Sequence, residues 1–281
     1  MKLEALFQHP TALPTAPKVV DELISSFDKA SVSTEDIAKK ISADPVLSAK
    51  LLRLANSAYY HVSRSIGTVE DAVLMLGFVT VRTLVISSGL VSGFKTVPGL
   101  DLRQFWRYSL RTAVGAKWIA RQTKQNTDLA FTIGMMHAIG QLVIHAAMPE
   151  QAMALDKVAG PLDSRRLDAE VASLGYSFAD VGAELARRWK FPEVFSTTIA
   201  ALPEPGDDAL AAVVHLAAWR ARVDENKLSA DEIAACYPTE VADSLGLDDN
   251  ALIDEMPPLD EMISSSRPLA FLDFQAISKI F

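Results

Sequence analysis

The chain has 281 residues, of which 49% are hydrophobic and 22% are charged. This composition is typical of a globular protein and excludes a disordered or predominantly membrane-embedded chain. The net charge of −8 argues against a nucleic-acid-binding surface, and the single cysteine, Cys236, excludes an internal disulfide and fits a reducing compartment. The first residues include Glu4 and no long apolar run, so we expect no signal peptide and a soluble, cytoplasmic protein.

Signals for short helices follow one another through the first hundred residues. Apolar residues recur at helical spacing from 18 to 27. Asp44-Pro45 predicts a helix start, because Asp accepts from unpaired amides and Pro needs no donor at the first helical position. Thr68 predicts another start with a capping box, and Gly77 predicts the end of that helix.

The stretch 129–148 carries no Asp, Glu, Lys or Arg, which predicts a buried helix at the centre of the core. Asp128 before it and Pro149 after it predict its start and its stop. Three polar residues follow one another along one side at i, i+4 and i+8: His137, Gln141 and His145. They indicate either a polar seam hydrogen-bonded to neighbouring helices or the remnant of a metal site.

Breaks in the helical pattern divide the chain at Val97-Pro98-Gly99 and at 203–208. No run of alternating apolar and polar residues indicates a strand, and no fixed repeat occurs. We therefore predict an all-α fold. The alanine-rich helix from Ala209 would be aggregation-prone if left bare, so we expect the C-terminal helices to complete the core.

Several phrases together resemble the HDOD family, a non-catalytic relative of the HD metal-dependent phosphohydrolases. They lie in the family's order over residues 13–205: LPTAPKVVDEL, SADPVLSAKLLRLANSAYY, SIGTVEDAVLMLGFVTVRTLV, DLRQFWRYSL, GMMHAIGQLVI and SLGYSFADVGAELARRWKFP. The resemblance implies a bacterial signalling module in which an N-terminal helical bundle packs on an HD-like helical bundle. Its expected divisions are 1–99 for the N-terminal subdomain, 100–205 for the HD-like subdomain and 206–281 for the C-terminal helices.

The resemblance also implies that the metal ligands of the parent enzymes have been lost. Tyr108 stands where an early histidine ligand is expected, and His137-Ala138 replaces adjacent His-Asp. Phe178 stands in place of a further histidine, Ala218 in place of a final aspartate, and Leu202 where another histidine often occurs. One imidazole cannot hold a divalent metal that needs several ligands. We therefore expect no metal, no cofactor and no hydrolysis, and we explain His145 as a residue favourable to the helix dipole.

Two regions are candidates for function. The first, which we call the relic pocket, consists of Tyr108, His137, Gln141 and Phe178. It is either a packed core with satisfied polar atoms or a small-ligand or nucleotide sensor site whose aromatic residues stack on a base. The second, which we call the partner surface, consists of Arg53, Asn56, Tyr59 and Tyr60. It is either an ordinary helix end or a surface that docks a signalling protein.

Three hypotheses for function follow. The preferred one is a non-enzymatic signal-transduction module that binds a protein partner, with a small nucleotide as a candidate ligand and with neither nucleic acid nor membrane as a partner. The second is a metal-dependent phosphohydrolase that uses unanticipated ligands. The third is a helix-turn-helix regulator of DNA at 69–85, which is weakened because Arg82 is almost the only basic residue there.

Overall fold

The structure is a computed structural model that describes residues 3–8, 33–56, 65–94, 96–248 and 251–265. Within these ranges every regular element is a helix, which confirms the prediction of an all-α fold. The helix predicted at 18–27 lies outside the described residues. The helices are α1 (Leu3–Leu6), α2 (Thr34–Ser42), α3 (Pro45–Ala55), α4 (Val69–Leu76), α5 (Phe78–Gly93), α6 (Leu102–Gln122), α7 (Thr127–Met136), α8 (Ile139–Ala147), α9 (Pro149–Asp156), α10 (Arg166–Leu174), α11 (Phe178–Arg188), α12 (Glu193–Ala201), α13 (Ala209–Asn226), α14 (Ala230–Cys236), α15 (Thr239–Ser244), a π-helix (Ala251–Glu255) and α16 (Leu259–Ser265).

The helices form two compact units. The first unit contains α1, the helices from α6 to α15, the π-helix and most of α16. The second unit contains the helices from α2 to α5 together with residues 189–191. The helices that follow 205 therefore lie in the same unit as the central apolar stretch.

Helix caps in the second unit follow the sequence closely. Asp44 Oδ1 accepts from the backbone N–H of Val46 at 2.8 Å and of Leu47 at 3.1 Å, with Pro45 in the first turn. Thr68 accepts from the backbone N–H of Asp71 at 3.1 Å, and α4 ends at Gly77, whose φ is +76°. Such a φ favours glycine because a Cβ would be strained there. The predicted starts and the predicted stop are confirmed.

The core of the first unit lies where α6 packs against α7 and α13. Glycines allow the closest of these approaches. A Cβ on Gly134 in α7 would lie 2.8 Å from the Cα of Ala113 in α6, and one on Gly115 in α6 would lie 3.4 Å from the Cβ of Ala217 in α13. Small residues thus bring three helices together at short range, and α13 is an integral part of this core.

The central apolar stretch differs in detail from its prediction. Its start is capped by Asn126, whose Oδ1 accepts from Asp128 N at 3.1 Å, so Asp128 lies inside the first turn. The stretch is interrupted between α7 and α8 at His137 and Ala138. The Gly134 carbonyl accepts a hydrogen bond from the His137 ring, which competes with the helix ladder at this turn. One prediction, a single unbroken helix, is therefore wrong.

Among the described residues, Thr127–Ala147 is long and apolar enough to cross a membrane by length and composition. Of its most apolar window, 89% is buried inside the protein. A buried core helix meets the same criteria of length and hydropathy as a membrane span. The burial therefore agrees with the prediction that this stretch lies in the core.

Candidate functional site

All four relic-pocket residues line one cavity of about 180 Å³ in the first unit. Helix α6 supplies one of them, the junction of α7 and α8 supplies the next, α8 the third and the start of α11 the last. The other positions at which the resemblance implies lost ligands line the same cavity: Ala138, Leu202 and Ala218. Tertiary packing therefore gathers every position that the resemblance singled out around one small space.

The His137 ring has one satisfied nitrogen and one unsatisfied nitrogen. Its Nδ1 lies 2.7 Å from the Gly134 carbonyl oxygen, so Nδ1 carries the proton and donates. Its Nε2 is buried and has no hydrogen-bond partner in the described part of the protein. Burial lowers the pKa of His137 to about 4, and the positive charge of Arg222 acts in the same direction. The imidazole is therefore neutral, with an unpaired acceptor at Nε2.

The Tyr108 ring is packed rather than open. Its exposure is 4%, and its centroid lies 4.8 Å from that of His137 in an edge-to-face arrangement with a 69° interplanar angle. Its hydroxyl donates weakly to the Ala218 carbonyl over 3.4 Å. Burial raises the pKa of Tyr108, so the phenol keeps its proton and is a poor metal ligand. With so little of this ring exposed, stacking of a base on it is disfavoured.

Gln141 and Phe178 close the cavity through their backbone and amide contacts. Gln141 Nε2 donates to the Pro161 carbonyl at 3.0 Å, as expected for a polar seam. The backbone N–H of Phe178 donates to Glu170 Oε2 at 2.6 Å, which fixes the first turn of α11. Phe178 is half-buried, so part of its ring faces the cavity.

Two functional candidates on α13 were missed by sequence reasoning: His215 and Arg222. His215 Nδ1 lies 2.8 Å from the Leu202 carbonyl oxygen, and burial lowers the pKa of this ring, which leaves it neutral. The half-buried Arg222 forms no ion pair in the described part of the chain, whereas its helix neighbours Arg220 and Glu225 do. The two residues are seven apart and therefore share one helix face. Two polar residues seven positions apart in a largely apolar stretch of helix were the sequence signal that could have identified them.

His145 does not belong to the relic pocket. It is fully buried, its Nδ1 lies 3.1 Å from the Pro98 carbonyl oxygen, and its Nε2 faces Asp156 and Arg166 at 3.5 Å. Burial lowers the pKa of His145, and a neutral ring has no charge with which to favour a helix dipole. The explanation of His145 by the helix dipole is wrong, because Asp156 and Arg166 on other helices hold this side chain.

This buried ion cluster consists of His145, Asp156, Arg166 and Glu170. Arg166 donates to Glu170 Oε1 at 2.7 Å, to Asp156 Oδ1 at 2.5 Å and to the Ala159 carbonyl at 2.8 Å. Burial raises the pKa of Glu170, while its bonds with Arg166 and Phe178 act in the opposite direction. The cluster positions the start of α11 and therefore one wall of the relic pocket.

The donor set of the relic pocket does not fit a divalent metal. Among the residues that the structure describes, no group of three or more His, Cys, Asp or Glu side chains lies close enough to hold a metal ion. Of the expected ligand positions, only His137 has a good donor, since alanine and phenylalanine cannot ligate. The nearby guanidinium of Arg222 would also repel a cation.

The lowered pKa of His137 predicts a pH-dependent stability. The folded-state pKa of about 4 lies below the ordinary value of 6.5, so acid protonates the unfolded state first. The stability that neutral His137 contributes is fully present above pH 6.5 and is lost as the pH falls toward 4. Between pH 7 and pH 4.5 this residue alone is expected to lower the free energy of unfolding by about 2 kcal/mol.

Urea denaturation of the wild type and of His137→Gln at both pH values measures this contribution. The wild type should lose about 2 kcal/mol more than the variant, because the other buried histidines are common to both proteins. An identical loss in the two proteins would show that His137 titrates normally in the folded state.

The partner surface is described only in part. Asn56 is exposed but ends α3 with its own hydrogen bonds, since its amide donates to the carbonyls of Leu52 at 2.9 Å and Ile66 at 2.8 Å. Its Oδ1 accepts from the N–H of Ile66 at 2.7 Å. Arg53 is exposed in the last turn of α3. Tyr59 and Tyr60 lie outside the described residues, so their part of this surface stays a prediction.

A larger groove of about 690 Å³ adjoins the relic pocket. Trp219 and Asn226 of α13 line one side of it, and Cys236 at the end of α14 lines another. The groove and the relic pocket share five lining residues: Pro161, Asp163, Ser164, His215 and Arg222. The two spaces are therefore neighbours, and Arg222 belongs to both.

Comparison with known proteins agrees with this fold. Residues 13–205 match the HDOD domain. A solved structure from Shewanella amazonensis SB2B, named "Putative phosphohydrolase", is 32% identical, has a TM-score of 0.73 and covers 94% of this chain and 96% of its own. An HDOD domain protein with unknown function from Geobacter sulfurreducens is 26% identical, has a TM-score of 0.72 and covers 95% of each chain.

A longer relative has been found in Treponema pallidum (strain Nichols), where it is named "Uncharacterized protein". It is 27% identical over 191 residues, which are 66% of this chain and 37% of that protein. This chain thus matches little more than a third of the relative's length.

The fold and its solved neighbours define an all-helical protein of the HD-like class. The match over 13–205 makes the assignment specific, and the chain belongs to the HDOD domain family. The family assignment predicted from the sequence phrases is confirmed.

Proposed function

We propose that this chain is a non-catalytic signal-transduction module that regulates a protein partner and responds to a small ligand. The relic pocket is the ligand-responsive part of this proposal, and the partner surface is the docking part. The lone Cys236 and the burial of the most apolar helix support a cytoplasmic location. No nucleic acid or membrane partner is needed.

The observation that carries the proposal is the donor set around His137. Metal-dependent hydrolysis of a phosphoester needs several ligands to hold the cation and an open position for the attacking water. Here Tyr108, Ala138 and Ala218 line the cavity where such ligands are expected, and Arg222 supplies a positive charge within the protein itself. A pocket with this lining can bind a ligand but lacks the ligand set that would hold a water-activating metal.

The alternative function is metal-dependent phosphohydrolysis with unanticipated ligands. The name of the Shewanella amazonensis relative, which is 32% identical, favours it to the extent that the two proteins share chemistry. The relic pocket argues against it, because a single unpaired imidazole nitrogen cannot fix a divalent cation.

A helix-turn-helix regulator is less well supported. Helix α5 would be the recognition helix, yet four of its described side chains, Val81, Leu84, Val85 and Ile86, are at most 5% exposed, and its exposed residue Phe78 is apolar. A recognition helix must present side chains to base edges in a groove. The Arg82 side chain lies outside the described residues, so its contribution stays untested.

Metal analysis and an activity assay test the proposal together. Protein purified without chelator is expected to contain less than about one tenth of a metal ion per chain, because one imidazole gives weak affinity. Phosphomonoesters and phosphodiesters, supplied with Mg²⁺, Mn²⁺ or Fe²⁺, should show no turnover above that of a His137→Gln control. Turnover that is abolished in His137→Gln would overturn the proposal in favour of the hydrolase.

The docking half of the proposal has its own measurement. Partner capture from a native extract of the source organism is compared between the wild type and Tyr60→Ala, with Asn56 left intact so that the end of α3 is preserved. Selective loss of one captured protein in Tyr60→Ala is expected, since exposed aromatic residues dominate interface energies. Equal capture by both proteins would remove the partner surface from the proposal.

A further inference from the structure

We propose that the relic pocket is a metal-free receptor for the phosphate group of a small phosphate monoester, with Arg222 in the electrostatic role of the absent cation. The phosphate accepts from the Arg222 guanidinium and donates its own acidic hydrogen to Nε2 of His137. This inference deepens the proposed function and rests on it, because it assumes that the pocket binds without hydrolysing.

The first argument is the unpaired nitrogen of His137. A buried acceptor without a partner costs free energy, of the order of 1–3 kcal/mol, unless a ligand satisfies it. His137 is 2% exposed and lines the cavity, and Nε2 is the ring nitrogen that the Gly134 carbonyl does not use. The site therefore requires a hydrogen-bond donor from whatever occupies it.

The second argument is the charge of the cavity. Arg222 lines the cavity beside both histidine rings and forms no ion pair with the residues that the structure describes, and its charge lowers the pKa of both His137 and His215. A guanidinium binds phosphate or carboxylate through parallel hydrogen bonds. The site therefore requires an anion.

The remaining charged groups at the cavity are already compensated or lie at its rim. Arg166 is held by Glu170 and Asp156 in the buried ion cluster. Asp163 pairs with Arg165, with a shortest distance of 2.6 Å, and Asp168 is exposed to solvent. Arg222 is thus the cavity's uncompensated charge among the described residues.

Few chemical groups carry both a negative oxygen and a hydrogen-bond donor in so small a volume. A carboxylate or a sulfate ester has no acidic hydrogen near neutral pH, and a metal cation is repelled by Arg222. A singly protonated phosphate monoester has both, since its second pKa is about 6. The 180 Å³ cavity is smaller than the 300–1,000 Å³ typical of whole-ligand sites, but it is large enough for a phosphate group.

The organic part of the ligand fits the adjoining groove. The 690 Å³ groove meets the relic pocket at Arg222 and His215, so an ester oxygen there would lead directly into it. The half-buried Leu228 and the exposed Asn226 offer an apolar surface and an amide to that part of the ligand. Stacking of a base on Tyr108, which the sequence suggested, is replaced by binding of phosphate beside it.

Isothermal titration calorimetry with methyl phosphate, the minimal monoester, tests the inference on the full chain. Binding is expected at pH 6 and should weaken by roughly 50-fold at pH 8. The reason is that only the singly protonated monoester binds, and with a pKa of about 6 its fraction falls from about one half to about one hundredth over this range. Methyl sulfate, which has no proton to donate, should bind at least about tenfold more weakly at pH 6.

Variants separate the site from general charge. Arg222→Gln is expected to weaken methyl phosphate binding by about tenfold or more, which is the effect of losing a hydrogen bond to a charged group. Arg220→Gln, on the same helix and outside both cavities, should leave affinity within about twofold. The hydrogen bond to His137 Nε2 is observed by ¹⁵N NMR of the wild type. The Nε2 signal should shift as methyl phosphate is added.

Three results would overturn the inference: no binding of methyl phosphate at 10 mM, roughly the weakest affinity of interest; equal weakening by Arg222→Gln and Arg220→Gln; or equal, pH-independent binding of methyl sulfate. Release of phosphate or methanol from bound methyl phosphate distinguishes the two proposals. Binding followed by hydrolysis would refute the non-catalytic function and leave the receptor site supported. Absence of both binding and hydrolysis would refute the receptor site and leave the non-catalytic function standing.

Discussion

Replacing Glu170 with alanine is expected to lower the free energy of unfolding by about 3–5 kcal/mol, because it leaves the buried Arg166 charge without the more deeply buried of its two carboxylate partners. Glu170 is fully buried, accepts from Arg166 at 2.7 Å, and also accepts from the backbone N–H of Phe178 at 2.6 Å. The substitution therefore removes both an ion pair and the anchor of α11. Urea denaturation followed by circular dichroism measures the change.

Glu184→Ala is the matched control. Glu184 pairs with Arg187 at 2.9 Å and Arg188 at 2.8 Å, but these arginine side chains are 52% and 37% exposed. Ion pairs of that kind contribute about 1 kcal/mol or less, since water and salt screen them. The double variant Arg166→Met/Glu170→Met should be more stable than Glu170→Ala, because it also removes the buried Arg166 charge, which Asp156 alone would compensate. Equal effects of Glu170→Ala and Glu184→Ala would contradict the role assigned to burial.

Gly140→Ala is the second substitution for which we expect a large effect. A Cβ at this position in α8 would lie 1.9 Å from the Phe178 carbonyl oxygen and 2.8 Å from the backbone N of Gly182, both in α11. Backbone atoms cannot rotate away as a side chain can, so the two helices must separate. Overpacking of this kind costs about 3 kcal/mol, at the upper end of the usual range. Thermal and urea unfolding give the value.

Gly160→Ala serves as the control for that substitution. No atom lies within 4 Å of a Cβ built at Gly160, so its stability should change by less than about 0.5 kcal/mol. Because α8 and α11 carry Gln141 and Phe178, Gly140→Ala should also disturb the relic pocket and weaken methyl phosphate binding. A Gly140→Ala protein as stable as Gly160→Ala would mean that the close approach of these helices is not required.

The sequence alone was sufficient for features that depend on neighbouring residues. Asp44-Pro45 and Thr68 predicted helix starts correctly, because a cap satisfies amides only two or three positions away. The uncharged run at 129–148 predicted burial correctly, since unfavourable hydration of apolar groups does not depend on the particular partner. The combination of phrases over 13–205 predicted the family correctly.

Features that join distant residues required the tertiary structure. His145 was assigned to a helix dipole because its partners, Asp156 and Arg166, lie on other helices, and sequence spacing says nothing about such contacts. Arg222 was overlooked for the same reason, since an arginine in the polar last turns of an alanine-rich helix, close to Arg220, usually indicates a solvated charge. Only packing of α13 beside α6 and α7 brings it to the cavity that His137 lines. The sequence determined which residues stand where the resemblance places metal ligands, whereas the three-dimensional arrangement decided that the charge of Arg222 lines the same cavity, because electrostatic interactions depend on distance through space.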